Sequence, residues 1–237
     1  MITKNMKRIG NVLFFLPLIL MGCSNRMTEY VINGSLSQPI SDGTMAYIVR
    51  LDEGADFSPI DSCEVVHGKF HMDGNVDSIM MVRLYMGDDN FPIVLESGEL
   101  AIDIENNQVK ISGTPLNDKL YTFLTERDSL KMLYDELPHK ESMMYLDGYS
   151  SEEILQELGE EELRLQNALD KIDTHFVMDN FDNALGITWF MRLCYEAEEF
   201  YGFPTTTPQI DEIYSMAPDE FKKNHYVKEY FQRVNGQ

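Results

Sequence analysis

Cysteine is scarce in this 237-residue chain, which contains only three: Cys23, Cys63 and Cys194. They form no Cys-x-x-Cys pair, and no group of cysteines and histidines has the spacing of a zinc site. The sequence therefore excludes thioredoxin-type redox chemistry by this chain alone, and it predicts no metal or other cofactor. Cys63 and Cys194 are interpreted either as a thiol pair that forms a disulfide bridge or as two separately buried residues.

Basic side chains are also few. Nineteen lysines and arginines stand against 40 aspartates and glutamates, a formal charge of -21. Such a charge repels phosphate, so nucleic acid and anionic lipid are poor partners, and no nucleic-acid partner is predicted. Hydrophobic residues make up 43% of the chain, with 13 Phe and 12 Tyr. This is enough to form one or two packed cores without disulfides or metal ions.

The common catalytic motifs are absent, including Gly-x-Ser-x-Gly, the P-loop, His-Glu-x-x-His and Gly-x-Gly-x-x-Gly. The acidic residues Asp52, Asp56 and Asp88-Asp89 lie in turn-like segments and are interpreted as exposed loop residues. His67 and His71 have the spacing of one strand face, but no third ligand accompanies them. The sequence therefore favours a protein that is not an enzyme.

No apolar run is long enough to cross a bilayer. The longest, Val12–Leu20, has about half of the roughly 20 residues that a spanning helix needs, and it contains Pro17. It is preceded by the basic residues Lys4, Lys7 and Arg8. A positive start followed by a short apolar stretch is typical of a secretory signal peptide.

A lipid attachment site follows this stretch. Met21-Gly22-Cys23 resembles the lipobox of bacterial lipoproteins, in which the cysteine is acylated and the preceding peptide is removed. We therefore predict that residues 1–22 are a signal peptide, that residues 23–29 are a tether, and that lipid on Cys23 holds the protein to a membrane. Ser24 does not resemble an inner-membrane retention signal. This favours the outer membrane with the soluble part in the periplasm, and surface display stays open.

Residues 30–113 consist of short segments of alternating polarity separated by turn residues. This pattern is typical of antiparallel strands with one exposed face. Glu99–Glu105 alternates most clearly, and Asn106-Asn107 is predicted to turn it into a hairpin. A second hairpin is predicted around His67-Gly68, because glycine supplies the positive φ that tight turns need. Seven or so strands in this length predict a β-sandwich or a partly open barrel.

From Thr114 to Gln237 the apolar spacing becomes helical, so the predicted class is α+β, with a β-domain over 30–113 and an all-helical segment over 114–237. Pro115 suits the first turn of a helix, and Pro138–Tyr149 is predicted to be a linker or loop. Further helices are predicted to start at Ser150 or Ser151 and to span Ala184–Tyr201, Pro208–Met216 and Pro218–Val234.

Aromatic side chains are concentrated in the predicted helix Ala184–Tyr201 and directly after it. Trp189, Tyr195, Tyr201 and Phe203 have the side-chain volume to line a pocket or contact a partner. Their helical spacing favours packing in a core instead.

Several short motifs occur together and in a fixed order: Tyr30-Val31-Ile32-Asn33-Gly34, Asp61-Ser62-Cys63, His67-Gly68-Lys69-Phe70, Leu95-Glu96-Ser97-Gly98 and Ile111-Ser112-Gly113-Thr114-Pro115-Leu116-Asn117-Asp118. This arrangement resembles the domain of unknown function that precedes a thioredoxin-like domain in many lipid-anchored thiol-disulfide oxidoreductases of Gram-negative gut bacteria. The motifs are turn glycines, a hairpin tip and a helix start, so the resemblance concerns a fold rather than a catalytic site.

In that family the thioredoxin-like domain carries the redox cysteines. This chain stops about where such a domain would begin, so redox activity is not carried over. The predicted anchor and the fold without catalytic motifs favour a lipid-anchored cell-envelope protein that acts as a non-catalytic binding or interaction module. The alternative is an accessory of a periplasmic thiol-disulfide exchange system, which docks a separate thioredoxin-like protein or offers Cys63 or Cys194 as a partner thiol. An enzyme with an unrecognised acid-base site stays open.

Overall fold

The computed structural model of the protein describes residues 28–37, 42–50, 59–105 and 108–236. The predictions for Cys23, Asp52, Asp56 and Asn106-Asn107 lie outside these residues. The described part contains strands followed by helices, which confirms the predicted α+β class. The strands are β1 Thr28–Leu36, β2 Met45–Arg50, β3 Pro59–Glu64, β4 Lys69–Val76, β5 Met80–Met86, β6 Asp89–Leu95, β7 Gly98–Glu105 and β8 Gln108–Ser112.

The strands form two four-stranded sheets, ordered β4-β1-β7-β8 and β3-β2-β5-β6. The architecture is a sandwich and not a closed barrel, which decides between the two predicted forms. Neighbouring strands are antiparallel except for β1 and β7, which run parallel from the pair Tyr30–Gly98 to the pair Leu36–Ile104. Alternating polarity shows which strand face is buried but not which strands are neighbours, so the sequence did not predict this pair.

The sandwich core lies between the two sheets and is built from alternate residues of the strands. Its fully enclosed side chains include Ile32, Ile48, Leu84, Ile93 and Ile102. A polar contact also crosses between the sheets, because the Tyr30 hydroxyl on β1 donates to Asp61 Oδ2 on β3 at 2.8 Å. The predicted hydrophobic alternation of β7 is confirmed, since its inward residues Leu100 and Ile102 are buried.

The turn at His67-Gly68 forms as predicted, with φ of 53° and 69° at its two residues. Val66 and Lys69 exchange two backbone hydrogen bonds across it, of 2.9 and 3.1 Å. The predicted hairpin is nevertheless wrong beyond that bridge, because β3 pairs with β2 in one sheet and β4 pairs with β1 in the other. The turn is therefore a corner at which the chain changes sheets.

The helices are α1 Pro115–Asp135, α2 Leu137–Leu146, α3 Ser151–Met178, α4 Ala184–Tyr201, α5 Pro208–Met216, α6 Asp219–Lys223 and α7 His225–Val234. The predicted linker at Pro138–Tyr149 is wrong over most of its length. Pro138 lies in the first turn of α2, where its missing N–H costs no helical hydrogen bond. The predicted helix Pro218–Val234 is two helices, separated at Asn224, whose side chain accepts a hydrogen bond from the Tyr226 N–H at 3.0 Å.

The helices enclose a second hydrophobic core, with Phe190, Ile213, Val227 and Tyr230 among its buried members. This core reaches the sandwich, since Val94 of β6 is one of its residues and Met81 of β5 packs against it. The next residue along β6, Leu95, belongs to the sandwich core. Because successive side chains of a strand point to opposite faces, β6 contributes to both cores.

Removing the hydroxyl of Tyr30 should weaken the contact between the two sheets. We expect Tyr30→Phe to lower the free energy of unfolding by about 1–2 kcal/mol, because it deletes one hydrogen bond to a carboxylate and leaves the ring in place. Urea denaturation followed by circular dichroism measures this change. Tyr149→Phe, at a residue 46% exposed, is the matched control. Equal effects of the two substitutions would contradict the assignment.

Candidate functional site

Two of the short sequence motifs, those that contain Glu96 and Asn117, meet where the sandwich joins α1. The carboxylate of Glu96, which follows β6, accepts hydrogen bonds from the backbone N–H groups of Leu116 at 2.8 Å and Asn117 at 3.2 Å. These groups belong to the first turn of α1, where no helical carbonyl is available to them. Negative charge is also favourable at this end of the helix dipole. Glu96 therefore caps α1 from the neighbouring strand, whereas the Thr114 side chain makes no capping bond.

Asn117 completes the junction from the helix side and is fully buried. Its Oδ1 accepts from the Val94 N–H at 2.9 Å, and its Nδ2 donates to the Val94 carbonyl at 2.7 Å. The same Nδ2 donates to Thr114 Oγ1 at 2.8 Å. The side-chain amide thus pairs with the β6 backbone as a neighbouring strand would.

Close packing of the backbone explains why position 113, just before α1, is a glycine. Gly113 has φ of +120°, and a Cβ built on it would lie 2.4 Å from the Glu99 carbonyl oxygen. Its N–H donates to Asp118 Oδ1 at 2.9 Å. Glu96, Gly113, Asn117 and Asp118 are therefore used in joining the sandwich to α1, and sequence reasoning had assigned Glu96 and Asn117 no such role.

The two described cysteines lie in different parts of the fold, and both are free. Cys63 is half-buried beside the sandwich core, and Cys194 is buried inside the helical core. Burial raises the pKa of Cys194 to about 12 and also raises the pKa of Cys63. Since the thiolate is the reactive form, both environments disfavour thiol exchange.

A buried ionic cluster ties α1, α3 and α4 together. Asp173 Oδ1 accepts from Arg127 Nε at 2.8 Å and from Trp189 Nε1 at 3.1 Å. The guanidinium of Arg192 lies 4.3 Å from the centre of the Trp189 ring, within the range of a cation–π contact. Burial raises the pKa of Asp173, although Arg127 acts in the opposite direction. Because its hydrogen bonds link three helices, the cluster stabilises their packing against one another.

The histidines do not converge on a common site. His67 lies at the sheet corner, where its N–H donates to Asp42 Oδ1 at 2.7 Å. His71 lies on the exposed face of β4, with ring nitrogens 2.8 Å from Asn33 Oδ1 and 3.2 Å from Asp73 Oδ1. Within the described ranges, no three His, Cys, Asp or Glu side chains are grouped so as to hold a metal ion.

Helices α2 and α3 expose apolar side chains near the turn that joins them. They belong to Met143, Tyr145, Leu146, Tyr149 and Leu155, and we call this group the arm tip. Leu146 is 80% exposed and Leu155 is 74% exposed. The start of α3 is held by a capping box between Ser150 and Glu153, so this turn has a defined geometry.

A second exposed surface lies at the end of α4. It consists of Phe200, Tyr201 and Phe203, and we call it the aromatic patch. Tyr201 and Phe203 are more than half exposed, so the interpretation of these aromatic residues as core was wrong for them. It was also wrong for Tyr195, which is 50% exposed, and right for Trp189, which is buried. Helix α7 contacts this end of α4 through the ion pair between Arg233 and Glu198, and the aromatic patch stays exposed beside it.

Comparison with known proteins supports the domain and leaves its activity open. Residues 30–120 match the family model described as Domain of unknown function (DUF4369). This stretch ends at Leu120 in α1, so it contains the whole junction between sandwich and helix. No curated protein matches the chain. Among the described helices, none is both long enough and apolar enough to cross a membrane.

Loss of the Asn117 side chain should destabilise the whole fold. We expect Asn117→Ala to lower the free energy of unfolding by about 3 kcal/mol, because the N–H and carbonyl of Val94 would stay buried without partners. Urea denaturation gives the value. Asn75→Ala, at an exposed position of β4, should change it by less than about 0.5 kcal/mol. A cost below about 1 kcal/mol for Asn117→Ala would argue against the junction.

The Asp173 carboxyl should make stability depend on pH in a defined direction. Because its pKa is raised in the fold, the folded state binds the proton more tightly than the unfolded state. Proton binding by Asp173 stabilises the fold at pH values below its ordinary pKa of 3.8. This stabilisation is lost as the pH rises through the raised pKa of the folded state. The unfolding free energy of the native protein minus that of Asp173→Asn should therefore fall as the pH increases. Urea titrations over a pH series measure it, and a rising difference would refute the assignment.

Proposed function

We propose that this protein is a lipid-anchored component of the bacterial cell envelope that acts as a non-catalytic binding module. The lipobox-like Met21-Gly22-Cys23 supports the anchor, with the soluble part in the periplasm at the outer membrane. The motif resemblance supports the same location. The polar residues of the junction are used in holding the fold together, so we look for the binding surface among the exposed apolar residues of the helices.

The observation that carries the binding role is the exposure of the arm tip. Burying a leucine side chain fully is worth about 1.5–3 kcal/mol, so Leu146 and Leu155 leave favourable contacts unused. Single exposed apolar residues are common on proteins, but a group on one surface indicates an interaction site. Tyr145 and Tyr149 add apolar rings with polar tips, which suit interfaces that form and separate in water.

The second candidate is the docking of a separate thioredoxin-like protein, and the motif resemblance supports it. The environments of the two described thiols favour a version of this function without thiol exchange. Cys194 is buried with a pKa of about 12, and Cys63 is half-buried with a raised pKa. Such a partner would be held by surface contacts, and the arm tip is the surface that we assign to it.

Anchoring through Cys23 can be tested on the purified protein. Mass spectrometry of the mature N-terminal peptide should show acyl chains on Cys23. Cys23→Ser should leave the protein in the soluble fraction, because each buried methylene of the lost chains contributes about 0.8 kcal/mol to membrane binding. Cys63→Ser is the matched control and should stay with the membrane. An unmodified Cys23 thiol at the processed terminus would contradict the anchor.

Partner contact at the arm tip can be tested by placing a photo-crosslinking residue at Leu146 in the native envelope. We expect one discrete protein adduct, which Leu155→Ser should diminish because it removes apolar contact area from the same surface. A crosslinker at the exposed residue Glu160 of α3 serves as the control. The same adduct from both positions, or no effect of Leu155→Ser, would contradict a docking surface at the arm tip.

A further inference from the structure

The aromatic patch has a composition that points to a particular ligand chemistry. Phe200 is 81% exposed, and its ring packs edge-to-face against Tyr201 with the ring centres 4.9 Å apart. Phe203 follows immediately after the left-handed Gly202 that ends α4. None of the three is a member of the helical core. Three aromatic side chains within four positions are therefore presented to solvent.

Other aromatic rings of the helical half already have cationic partners. A guanidinium or ammonium group lies over Trp189 at 4.3 Å, over Tyr214 at 5.2 Å and over Tyr230 at 5.2 Å. In the part of the chain that the structure describes, no such contact involves the rings of the aromatic patch. These ring faces are available to a cation from outside.

Within the described part of the chain, an unpaired carboxylate lies next to these residues in the sequence, on the last turn of α4. Glu199 directly precedes Phe200, and across the described ranges it has no ion pair or hydrogen bond. The two neighbouring acids are engaged, since Glu196 pairs with Arg192 at 2.7 Å and Glu198 pairs with Arg233 at 2.7 Å. The end of α4 therefore carries both exposed aromatic rings and, among the described residues, one unpaired negative charge.

The charge of the whole molecule narrows the choice of occupant. At -21, a second copy of this chain, a nucleic acid or an anionic lipid surface would be repelled. A cationic segment would be attracted, and a guanidinium can stack on an aromatic ring while it pairs with a carboxylate. We propose that the aromatic patch and Glu199 bind an arginine-bearing segment of a partner protein. This site is separate from the arm tip and goes beyond the function proposed above.

The probe is a capped peptide of six Arg-Gly repeats, titrated into the purified protein by calorimetry at physiological salt. The comparison peptide carries citrulline in place of arginine, which keeps the planar shape without the charge. We expect the arginine peptide to bind and the citrulline peptide to bind at least tenfold more weakly. Screening over about 8 Å suppresses long-range attraction by the overall charge. Equal binding of the two peptides, or no binding of the arginine peptide, would overturn the proposal.

Substitutions then locate the site. The double variant Phe200→Ala with Phe203→Ala should weaken arginine-peptide binding roughly fivefold or more, as expected for two exposed cation–π contacts. Glu199→Gln should weaken it roughly two- to fivefold. Leu163→Ala and Glu160→Gln are the matched controls, since they remove an exposed apolar group and an exposed acid elsewhere. Unchanged binding in the double variant, or equal losses in the controls, would refute this site while leaving the role of the arm tip unaffected.

Discussion

The structure depends on the contact between the end of strand β6 and the first turn of α1. Glu96 supplies the acceptor that the N–H groups in the first turn of the helix lack, and Asn117 pairs in return with the backbone at Val94. Side chains of β6 alternate between two cores, with Val94 in the helical core and Leu95 in the sandwich core. A displacement of β6 would disturb both cores at once. The polar contact therefore holds the helices in place against the sandwich.

This constraint explains why the recognisable part of the sequence does not show an activity. Its glycines and polar residues are where the backbones approach closely or where a helix start must be capped, and those needs are structural. The arm tip and the aromatic patch lie on the helices, away from these positions. Because these surfaces lie outside residues 30–120, the family match carries no information about them.

The features that the sequence predicted well are those with a local cause. The alternation in β7, the turn at His67-Gly68 and the proline start of α1 each follow from neighbouring residues. The predictions were wrong or missing where contacts between distant segments determine the structure. The parallel pairing of β1 with β7 leaves no mark on alternation, and α2 forms despite Pro138 because its first turn tolerates proline. Tyr201 and Phe203 are exposed, although their spacing favoured packing in a core. The role of Asn117 also required knowledge of β6, which is distant in sequence.

The binding role that we propose requires a partner to cover the arm tip in the cell. Backbone hydrogen exchange tests it directly when it is measured on the protein in its native membrane and again after purification. The account predicts that residues 143–155 exchange more slowly in the membrane than in the purified protein, while exchange in β3 is the same in both. Equal exchange of residues 143–155 in the two preparations would contradict the account.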